Sequence, residues 1–561
     1  MPNFEDYFSE SSIIKALCQL RLKKAKIVHE RRFYRKLVYS TPERQNTDFH
    51  KMFPPRRTWN RYRPRKKKRD ISPNVDLETL LLAITAEKKK KSPAPWFNNL
   101  LLKCVEIRRL ALSDNTYEFS KPRITHQHKS GNDYRAIASF DKVNDKLLDI
   151  INAKYLREQL DVTLESCSVA FRAKSEVTLN RNSAISKILA HRKKSEKKSL
   201  HVAECDIKGF FDCVHHGQAK KSLKRSIEIL KIRVPNIKID SRSIKIFESY
   251  LSAYSFSRSV KTQERKLRDT TGNPRAIYKW PLQSDDRGPF SLEHFHRYPK
   301  KMKLGIPQGG AHSCLIANLI LDLADKETNL SLCGLDGEST YLRYCDDIIL
   351  ICDNKKTCER GFATYLKALE FLELPYHQPE QITLHGKDFF NKSKTKSPYC
   401  WVGGKSRGHF PWIQFLGYQI RYDALLRVRP SSINKHKLKI KTLREKITSE
   451  INAKEPKVSA RRCLHRYNSK VIAFSSGRVN LHDLQIGPLP MCWCSGFSQL
   501  HGESFVKSQI KSLDKEAHKH RKHLENRLKK LKFGAKSKKT DPNIIDYFGK
   551  PFSHMAQFEE E

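Results

Sequence analysis

The chain has 561 residues, too many for one compact core, so two to four domains or subdomains are expected. Hydrophobic residues make up 38% of the sequence, which is enough to build a core and excludes a wholly disordered chain. Lys and Arg number 108 against 60 Asp and Glu, giving a formal net charge of +48. This surplus favours a polyanionic partner, and nucleic acid is favoured over an anionic membrane surface.

Three features of the composition bear on location. No apolar run approaches the roughly 18 residues that a membrane-spanning helix needs. The first residues, MPNFEDYFSESS, lack the basic-then-apolar pattern of a signal peptide. The 14 cysteines are scattered without a disulfide framework. The sequence therefore predicts a soluble, cytoplasmic protein that has no membrane partner.

Residues 1–115 are predicted to be a basic N-terminal extension. They include RYRPRKKKR (Arg61–Arg69) and the lysine run Lys88–Lys91. Two interpretations stay open at this point: a solvated, partly ordered extension, or an arm that binds nucleic acid.

Residues 116–428 are predicted to alternate short apolar strands with helices. The segments LHVAECDI (200–207) and STYLRYCDDIILICD (339–353) read as strands that flank acidic clusters. A polar stretch containing Pro and Gly, at about 256–300, is predicted to be a loop or an insertion.

The C-terminal part is predicted to be helical and basic over residues 429–535, followed by a tail over 536–561. Apolar residues recur at helical spacing from Ile440 to Ile451, behind the possible caps Ser431 and Ser432, and Pro456 would end this helix. A second amphipathic helix is predicted from Ile510 to Leu531. Cys and His residues near these helices lack the paired spacing of a zinc ribbon or finger, so a zinc site is left open.

The strongest local signal is Tyr344-Cys345-Asp346-Asp347, bracketed by apolar residues. Adjacent carboxylates on an apolar hairpin repel each other and resist desolvation, and a bound divalent cation removes that conflict. Hard oxygen ligands favour Mg²⁺. A tight turn that exposes two aspartates to solvent would show the same sequence pattern.

A further carboxylate, Asp206, follows the apolar strand Val202–Cys205. Two-metal phosphoryl transfer needs carboxylates from separate strands to bridge ions roughly 3.5–4 Å apart, and Asp206 with Asp346 would meet that need. One ion lowers the pKa of an attacking 3′-hydroxyl, and the other neutralises a leaving pyrophosphate. Asp212 is interpreted as a strand-end or helix-cap carboxylate rather than as a third ligand.

Seven segments follow one another along the chain: KSGNDYRAI (129–137), SVAFR (168–172), DIKGFFD (206–212), GIPQGGAHSCLIANL (305–319), YCDD (344–347), NKSKT (391–395) and FLGY (415–418). The last five stand in the order of the palm motifs of reverse transcriptases, and the first two resemble finger motifs. The chain resembles the bacterial, group II intron-like branch over residues 120–428, and is most like the free-standing, defence-associated (abortive-infection type) enzymes. One departure is Cys345, where the bacterial enzymes usually have Ala.

The resemblance implies an α+β right-hand polymerase: fingers, a palm with an antiparallel sheet, and a helical thumb-like C-terminal domain. It implies that Asp206 and Asp346 bind two Mg²⁺ ions, with Mn²⁺ as an alternative, and that the Ile207 carbonyl is a further ligand. Asp347 would support the site as the less directly coordinating carboxylate of its pair.

The resemblance also implies how the site holds a nucleotide. Phe211 matches the gate residue under the sugar, whose ring leaves no room for a 2′-hydroxyl. Gln308 would contact the incoming nucleotide, and Gly309 beside it would let the backbone approach closely. Lys129 and Arg135 match the finger cations that clamp a triphosphate, although surface charges would look the same in sequence.

Two further motifs have implied roles at the primer end. Lys394 matches a palm lysine that protonates the departing pyrophosphate, although Lys392 or Lys396 could take that register. The hairpin that grips the primer end would consist of Phe415, Leu416, Gly417 and Tyr418.

The implied function is RNA-directed DNA synthesis, with an RNA template and a DNA product as partners. A dedicated non-coding RNA, a companion defence protein or a second copy of the chain are further expected partners. No nuclease, ribonuclease H or integrase module is evident, so a role in antiphage defence is expected. The alternatives are template-independent or protein-primed DNA synthesis and a group II intron-type mobile element. Phe211 argues against an RNA-dependent RNA polymerase, and the complete aspartate set argues against a protein that only binds nucleic acid.

Overall fold

The structure is a computed structural model, and the chain divides into two compact units. Unit 1 comprises Met1–Ala16, Leu102–Ile413 and Tyr422–Ala424, and unit 2 comprises Leu17–Leu101, Gln414–Arg421 and Leu425–Glu561. The structure describes residues 2–38, 51–63, 75–130, 133–173, 179–195, 198–261, 278–281, 291–380, 389–390, 393–403, 410–451, 460–477, 492–500, 504–530 and 551–553.

The described residues form both strands and helices. The strands are β1 (Arg123–Ser130), β2 (Asp133–Ser139), β3 (Leu200–Cys205), β4 (Ser339–Tyr344), β5 (Asp347–Cys352), β6 (Lys396–Trp401), β7 (Trp412–Phe415), β8 (Tyr418–Arg421) and β9 (Leu426–Val428). The helices are α1 (Phe4–Tyr7), α2 (Glu10–Val38), α3 (Arg56–Trp59), α4 (Val75–Lys88), α5 (Pro95–Leu112), α6 (Val143–Leu160), α7 (Arg181–Lys194), α8 (Phe210–Cys213), α9 (His216–Arg233), α10 (Ser241–Ser252), α11 (Phe256–Ser259), α12 (Leu292–Phe295), α13 (Ala311–Leu332), α14 (Lys355–Phe371), α15 (Pro430–Ile451), α16 (Ala460–Ser476), α17 (Trp493–Gly496) and α18 (Ser504–Lys530). Short 3₁₀ turns occur at Asn60–Tyr62, Asp161–Thr163 and Pro299–Lys301.

The centre of unit 1 is a four-stranded sheet in the order β4-β5-β3-β6, and every pairing in it is antiparallel. The two segments predicted to be strands from their apolar runs form β3 and the β4–β5 hairpin. In that hairpin Tyr344 lies opposite Asp347, so Cys345 and Asp346 form the turn. The predicted α+β fold class with an antiparallel palm sheet is confirmed.

Helices pack around this sheet. Helix α14 packs across β3, β5 and β6, and α13 packs against α14, α6 and α9. The strands β1 and β2 form a separate antiparallel hairpin. The sheet and α13 therefore fix the ends of β3 and of the β4–β5 hairpin, where the predicted site residues lie.

The described parts of the predicted loop or insertion at about 256–300 contain buried aromatic side chains. Tyr278 and Trp280 are buried in one cluster with Phe256 and Leu292, against Ala136 of β2. Residues 262–277 and 282–290 lie outside the described residues. The aromatic residues of this stretch are not spaced with a helical or strand period, so the sequence did not predict their burial. In the structure they nevertheless pack in the core.

Unit 2 contains the two predicted C-terminal helices. Helices α15, α16 and α18 pack against one another, and α18 buries its apolar stripe, as its amphipathic pattern predicted. Helix α15 begins at Pro430, so Ser431 and Ser432 lie in its first turn rather than at its cap. Proline suits that first position because the backbone N–H it lacks would have no partner there. Pro456 and Leu531 lie outside the described residues.

Parts of both predicted extensions are folded. In the N-terminal extension, α4 and α5 bury Leu80, Phe97 and Leu100, so this part is not a solvated chain. In the predicted tail, the Asp514 carboxylate accepts the N–H groups of Phe552 at 2.8 Å and Ser553 at 3.1 Å. The domain boundaries themselves stay predictions. Within the described ranges, every helix is too short or too polar to cross a bilayer.

Candidate active site

The turn between β4 and β5 places Asp346 at the end of the hairpin. Cys345 adopts a left-handed conformation, with φ +62°, which is uncommon for a residue other than glycine. Nη1 of Arg343 donates to the Cys345 carbonyl at 3.0 Å and so stabilises this turn. The position of Asp346 therefore depends on a hydrogen bond donated by Arg343, three residues earlier in the chain.

Arg343 is fully buried and forms an ion pair that the sequence analysis missed. Its Nε and Nη2 atoms donate to the Asp325 carboxylate of α13 at 2.6 to 2.9 Å. Its Nη1 also donates to Oδ1 of Asn318 at 3.2 Å. Burial opposes the charge, but the Asp325 carboxylate raises the pKa of the Arg343 guanidinium. The signal in the sequence is a charged residue inside each of two apolar runs, LRYC and LDLAD.

The backbone of Asp206 is fixed by two other segments at the end of β3. Its N–H donates to Oγ1 of Thr395 at 3.2 Å, and its carbonyl accepts the N–H of His377 at 3.2 Å. Its side-chain atom Oδ2 lies 3.6 Å from Nε2 of His377 and 3.6 Å from Nζ of Lys394. His377 carries no motif in the sequence, and only the tertiary structure brings it here.

The two predicted metal-binding carboxylates share one electrostatic environment. Burial raises the pKa of Asp206, the negative charge of Asp346 raises it further, and Lys394 and Lys129 oppose both effects. Burial also raises the pKa of Asp346, against the charges of Arg135 and Arg343. Asp206 and Asp346 are thus close enough to repel each other, so a cation between them would stabilise both charged forms.

The other predicted ligands lie beside this pair. Asp347, the first residue of β5, is exposed. Ile207 is buried, and its backbone forms an isolated antiparallel β-bridge with Tyr376. In the described part of the chain, no group of three or more His, Cys, Asp or Glu side chains is arranged to hold a metal ion. The donors that fit a hard divalent cation are therefore two carboxylates at strand ends, and further ligands would have to come from backbone, substrate or water oxygens.

The structure distinguishes Lys394 from Lys396. Lys396 is buried at the start of β6, opposite Glu204, and its Nζ lies 2.5 Å from that carboxylate. Tyr399 donates to the other oxygen of Glu204 at 2.6 Å. Lys394 is exposed, and its Nζ lies 3.0 Å from Nε2 of His377. Lys394 is therefore the lysine beside Asp206, as the motif register predicted, whereas Lys392 lies outside the described residues.

Phe211 and Gln308 are linked through the segment that follows Asp206. The Phe211 carbonyl accepts the N–H of Ile306 at 2.7 Å, and Nε2 of Gln308 donates to Oδ1 of Asp212 at 3.3 Å. Burial raises the pKa of Asp212 to about 7, although the Gln308 amide and nearby cations oppose the shift. Asp212 lies inside the one-turn helix α8, so it is not the strand-end or cap carboxylate predicted, and it holds the Gln308 side chain instead.

Glycines let the loop before α13 adopt its path. Gly309 has φ +97° and is exposed, with open space where a Cβ would be. A Cβ on Gly310 would overlap the hydroxyl of Tyr250. The Asp149 carboxylate accepts the N–H groups of Ala311 and His312, each at 3.0 Å, and so anchors the start of α13. Gln308 is thereby presented from a fixed loop, with accessible backbone at Gly309.

The two predicted finger cations interact electrostatically with the carboxylates. Lys129 and Arg135 are both exposed, on β1 and β2 respectively. The charge of Lys129 lowers the pKa of Asp206 and Asp212, and that of Arg135 lowers the pKa of Asp212 and Asp346. Their positive charges therefore lie within electrostatic reach of the carboxylates, and their contact with a triphosphate stays a prediction.

The predicted primer-grip residues form a hairpin turn. Strand β7 ends at Phe415 and β8 begins at Tyr418, and the turn residues Leu416 and Gly417 have φ +50° and φ +83°. Within unit 2, the Tyr418 hydroxyl donates to the Gly496 carbonyl at 3.1 Å. The turn is confirmed, and its contact with a primer stays a prediction.

Residues 127–378 match the family model described as reverse transcriptase (RNA-dependent DNA polymerase). A search of curated proteins found no match. Among solved structures, the chain is similar to telomerase from Candida albicans in complex with a TWJ fragment of telomeric RNA, with 12% identity and TM-score 0.34, covering 81% of this chain and 71% of that one. It is also similar to apo telomerase from Candida tropicalis, with 12% identity and TM-score 0.37, covering 74% and 64%. A C-terminally truncated form of the Candida tropicalis telomerase is similar with 17% identity and TM-score 0.30, covering 55% of this chain and 55% of that one.

Proposed function

We propose that the reverse transcriptase domain of this chain copies RNA into DNA by adding deoxynucleotides to a primer 3′-hydroxyl. The observation that carries the proposal is the pair Asp206 and Asp346, whose charges repel each other at the ends of neighbouring strands. A bound cation would stabilise such a pair, and Lys129 and Arg135 would hold the triphosphate. RNA as template and DNA as product are the partners proposed.

The cofactor proposed is a pair of Mg²⁺ ions, with Mn²⁺ as the alternative. Asp206 and Asp346 would hold them, together with the Ile207 carbonyl, and Asp347 would support the site. When bound, the ions supply Lewis acidity for the attacking 3′-hydroxyl and charge neutralisation for the leaving pyrophosphate. The fit rests on the raised pKa values of the two carboxylates, which a nearby positive charge would lower again.

The side chains around the carboxylates position the nucleotide. Arg135 can bind a phosphate with two parallel hydrogen bonds, and Lys129 adds a mobile point charge. Gln308, fixed by Asp212 at 3.3 Å, contacts the nucleotide at the turn. Lys394, 3.6 Å from the Asp206 carboxylate, donates a proton to the departing pyrophosphate.

Primer extension tests this proposal directly. The purified chain is given Mg²⁺, a DNA primer and RNA templates of different sequence, with one deoxynucleotide at a time. We expect incorporation of the nucleotide complementary to each template. Incorporation that ignores the template would support untemplated synthesis instead, and DNA that stays bound to the protein until protease treatment would support protein priming.

Replacing Phe211 tests the choice of sugar. We expect Phe211→Ala to raise ribonucleotide incorporation relative to deoxynucleotide incorporation on the order of 10²-fold, about 2.7 kcal/mol, because the ring excludes a 2′-hydroxyl by volume alone. The measurement is the ratio of kcat/KM for the two sugars. Phe371→Ala, whose ring is 71% exposed on α14, is the matched control. An unchanged ratio in Phe211→Ala would assign sugar choice to another residue.

Replacing Lys394 tests the proton donor. We expect Lys394→Ala to lower kcat by roughly 10²-fold, the usual contribution of a general acid, with no change in melting temperature because the side chain is exposed. Lys396→Ala is the contrasting variant. It leaves Glu204 buried without its cation, so it should lower the melting temperature. A Lys394→Ala enzyme with full kcat would remove this lysine from the mechanism.

The biological role proposed is antiphage defence, with a non-coding RNA or a companion defence protein as further partners. It is supported by the motifs that resemble the free-standing bacterial enzymes. We expect bacteria that carry the gene with its neighbours to reduce phage plaque counts, and Asp206→Ala to remove this protection. Protection that survives Asp206→Ala would separate defence from DNA synthesis. Copies of the locus at new DNA sites, without protection, would favour the mobile-element alternative.

A further inference from the structure

A cleft in unit 1 that contains none of the predicted catalytic residues has an apolar floor. It lies between α9, α10 and the connecting residues 234–240, and encloses about 880 Å³. Its floor consists of the apolar side chains Leu223, Ile227, Ile237, Ile239, Ile244 and Phe247.

The connecting segment that forms one wall of the cleft is held in place. Nη1 of Arg233 donates to the Val162 carbonyl at 2.6 Å, and the N–H of Asp240 donates to the Tyr155 hydroxyl at 3.1 Å. The Asp240 carboxylate then accepts the N–H of Arg242 at 2.8 Å and caps α10. The cleft is therefore formed before any ligand binds.

The floor is only partly covered by the chain itself. Leu223 and Phe247 are buried, at 3% and 0% exposure, whereas Ile227, Ile239 and Ile244 are half-buried. Ile227 lies one helical turn after Leu223, so α9 presents an apolar stripe to the cleft. Aliphatic side chains left open to water in a concave site gain free energy when an apolar surface covers them.

The rim of the cleft is positively charged. Five lysines and two glutamates line it, a surplus of three positive charges. Lys220 pairs with Glu248 at 2.8 Å, and Lys231 pairs with Glu228 at 3.1 Å. The remaining three lysines have no carboxylate within ion-pair distance among the residues that the structure describes. They are Lys221, Lys224 and Lys238.

An aliphatic floor with a basic rim selects one kind of occupant. Single-stranded nucleic acid binds on aromatic stacking platforms, and the one aromatic ring of this floor, Phe247, is fully buried. An amphipathic helix places apolar residues at positions i, i+3 or i+4 and i+7 in such a groove, and its flanks lie over the rim. Asp and Glu on those flanks would meet the unpaired lysines.

We propose that the cleft between α9 and α10 docks an acidic amphipathic helix of a partner protein. Because none of its residues belongs to the catalytic set, docking is independent of the polymerase chemistry. The charge surplus attracts acidic flanks, and the half-buried isoleucines supply the surface for the apolar face. The cleft is thus an attachment site beside the enzyme rather than a part of its active site.

A displayed library of random peptides of roughly 16 residues, about four helical turns, tests the proposal against the full-length protein. We expect the selected peptides to carry apolar residues at helical spacing with Asp or Glu on the flanks, and to become helical on binding, as followed by circular dichroism. Ile227→Glu with Ile244→Glu should weaken their binding at least about tenfold without altering DNA synthesis.

Charge reversal supplies the second arm of the test. We expect Lys221→Glu with Lys224→Glu to weaken binding by about tenfold, and peptides with Lys in place of Glu to restore it. Lys187→Glu with Lys193→Glu, two exposed lysines of α7, is the matched control and should have no effect.

Three outcomes would overturn the proposal. The first is a selection that yields no helical, acidic consensus. The second is a set of peptides whose binding ignores the isoleucine substitutions. The third is binding of anionic lipid vesicles, or of single-stranded RNA, that the cleft substitutions abolish while peptide binding stays unaffected.

Discussion

Asp346→Asn combined with Asp347→Asn is expected to lower nucleotide incorporation by at least about 10³-fold, equivalent to about 4 kcal/mol of transition-state stabilisation. The reason is that a neutral amide binds a hard cation far more weakly than a carboxylate does. The measurement is the single-turnover rate of primer extension in saturating Mg²⁺.

The same double variant is expected to keep or raise the melting temperature of the metal-free protein. The pKa of Asp346 is raised in the fold, so folding disfavours its charged form, and this penalty is present at neutral pH and lost as the pH falls through the pKa. A neutral Asn does not carry the penalty. Asp336→Asn, an exposed carboxylate before β4, is the control for both measurements. Incorporation that persists in a folded double variant would overturn the assignment of the site.

Arg343→Met is expected to destabilise unit 1 by roughly 3–5 kcal/mol, because it leaves the Asp325 carboxylate charged, buried and unpaired. For a domain of this size the loss corresponds to a fall of roughly 10 °C in melting temperature. The measurement is a thermal melt followed by circular dichroism.

A second substitution separates stability from function. Arg343→Met with Asp325→Leu removes both buried charges, so much of the lost stability should return. The Cys345 carbonyl still lacks its donor, and the turn that carries Asp346 is left unsupported. We therefore expect a stable double variant with reduced incorporation. Full activity in that variant would show that the Arg343 hydrogen bond does not position the turn.

The two stability tests are expected to change the melting temperature in opposite directions, although both remove charged side chains from the same hairpin. Burial disfavours the charged form of Asp346 when no cation is bound. The charge of Arg343, in contrast, is compensated by the Asp325 carboxylate. The physical difference is that the proposed metal-binding carboxylate gains its counter-charge only when a cation binds, whereas the Arg343 guanidinium is already paired with Asp325.

The sequence by itself determined the elements whose signals are local. Apolar runs predicted β3 and the β4–β5 hairpin, and helical spacing predicted α15 and α18, because burial of one face imposes a period on neighbouring residues. The same runs ended at Asp206 and Asp346, so the proposed metal-binding carboxylates were visible as charges at the ends of apolar strands. The motif order added the proposed gate residue and finger cations only through resemblance to known enzymes.

Only the tertiary structure decided contacts between residues far apart in the chain. Arg343 with Asp325, Asp206 with His377, and Asp212 with Gln308 have no period or spacing that a sequence could display. The choice of Lys394 over Lys396 had the same origin, since the register of β6 against β3 pairs Lys396 with Glu204. A buried charge is tolerated where folding places an opposite charge beside it. The order of residues along the chain does not show which two charges will be neighbours.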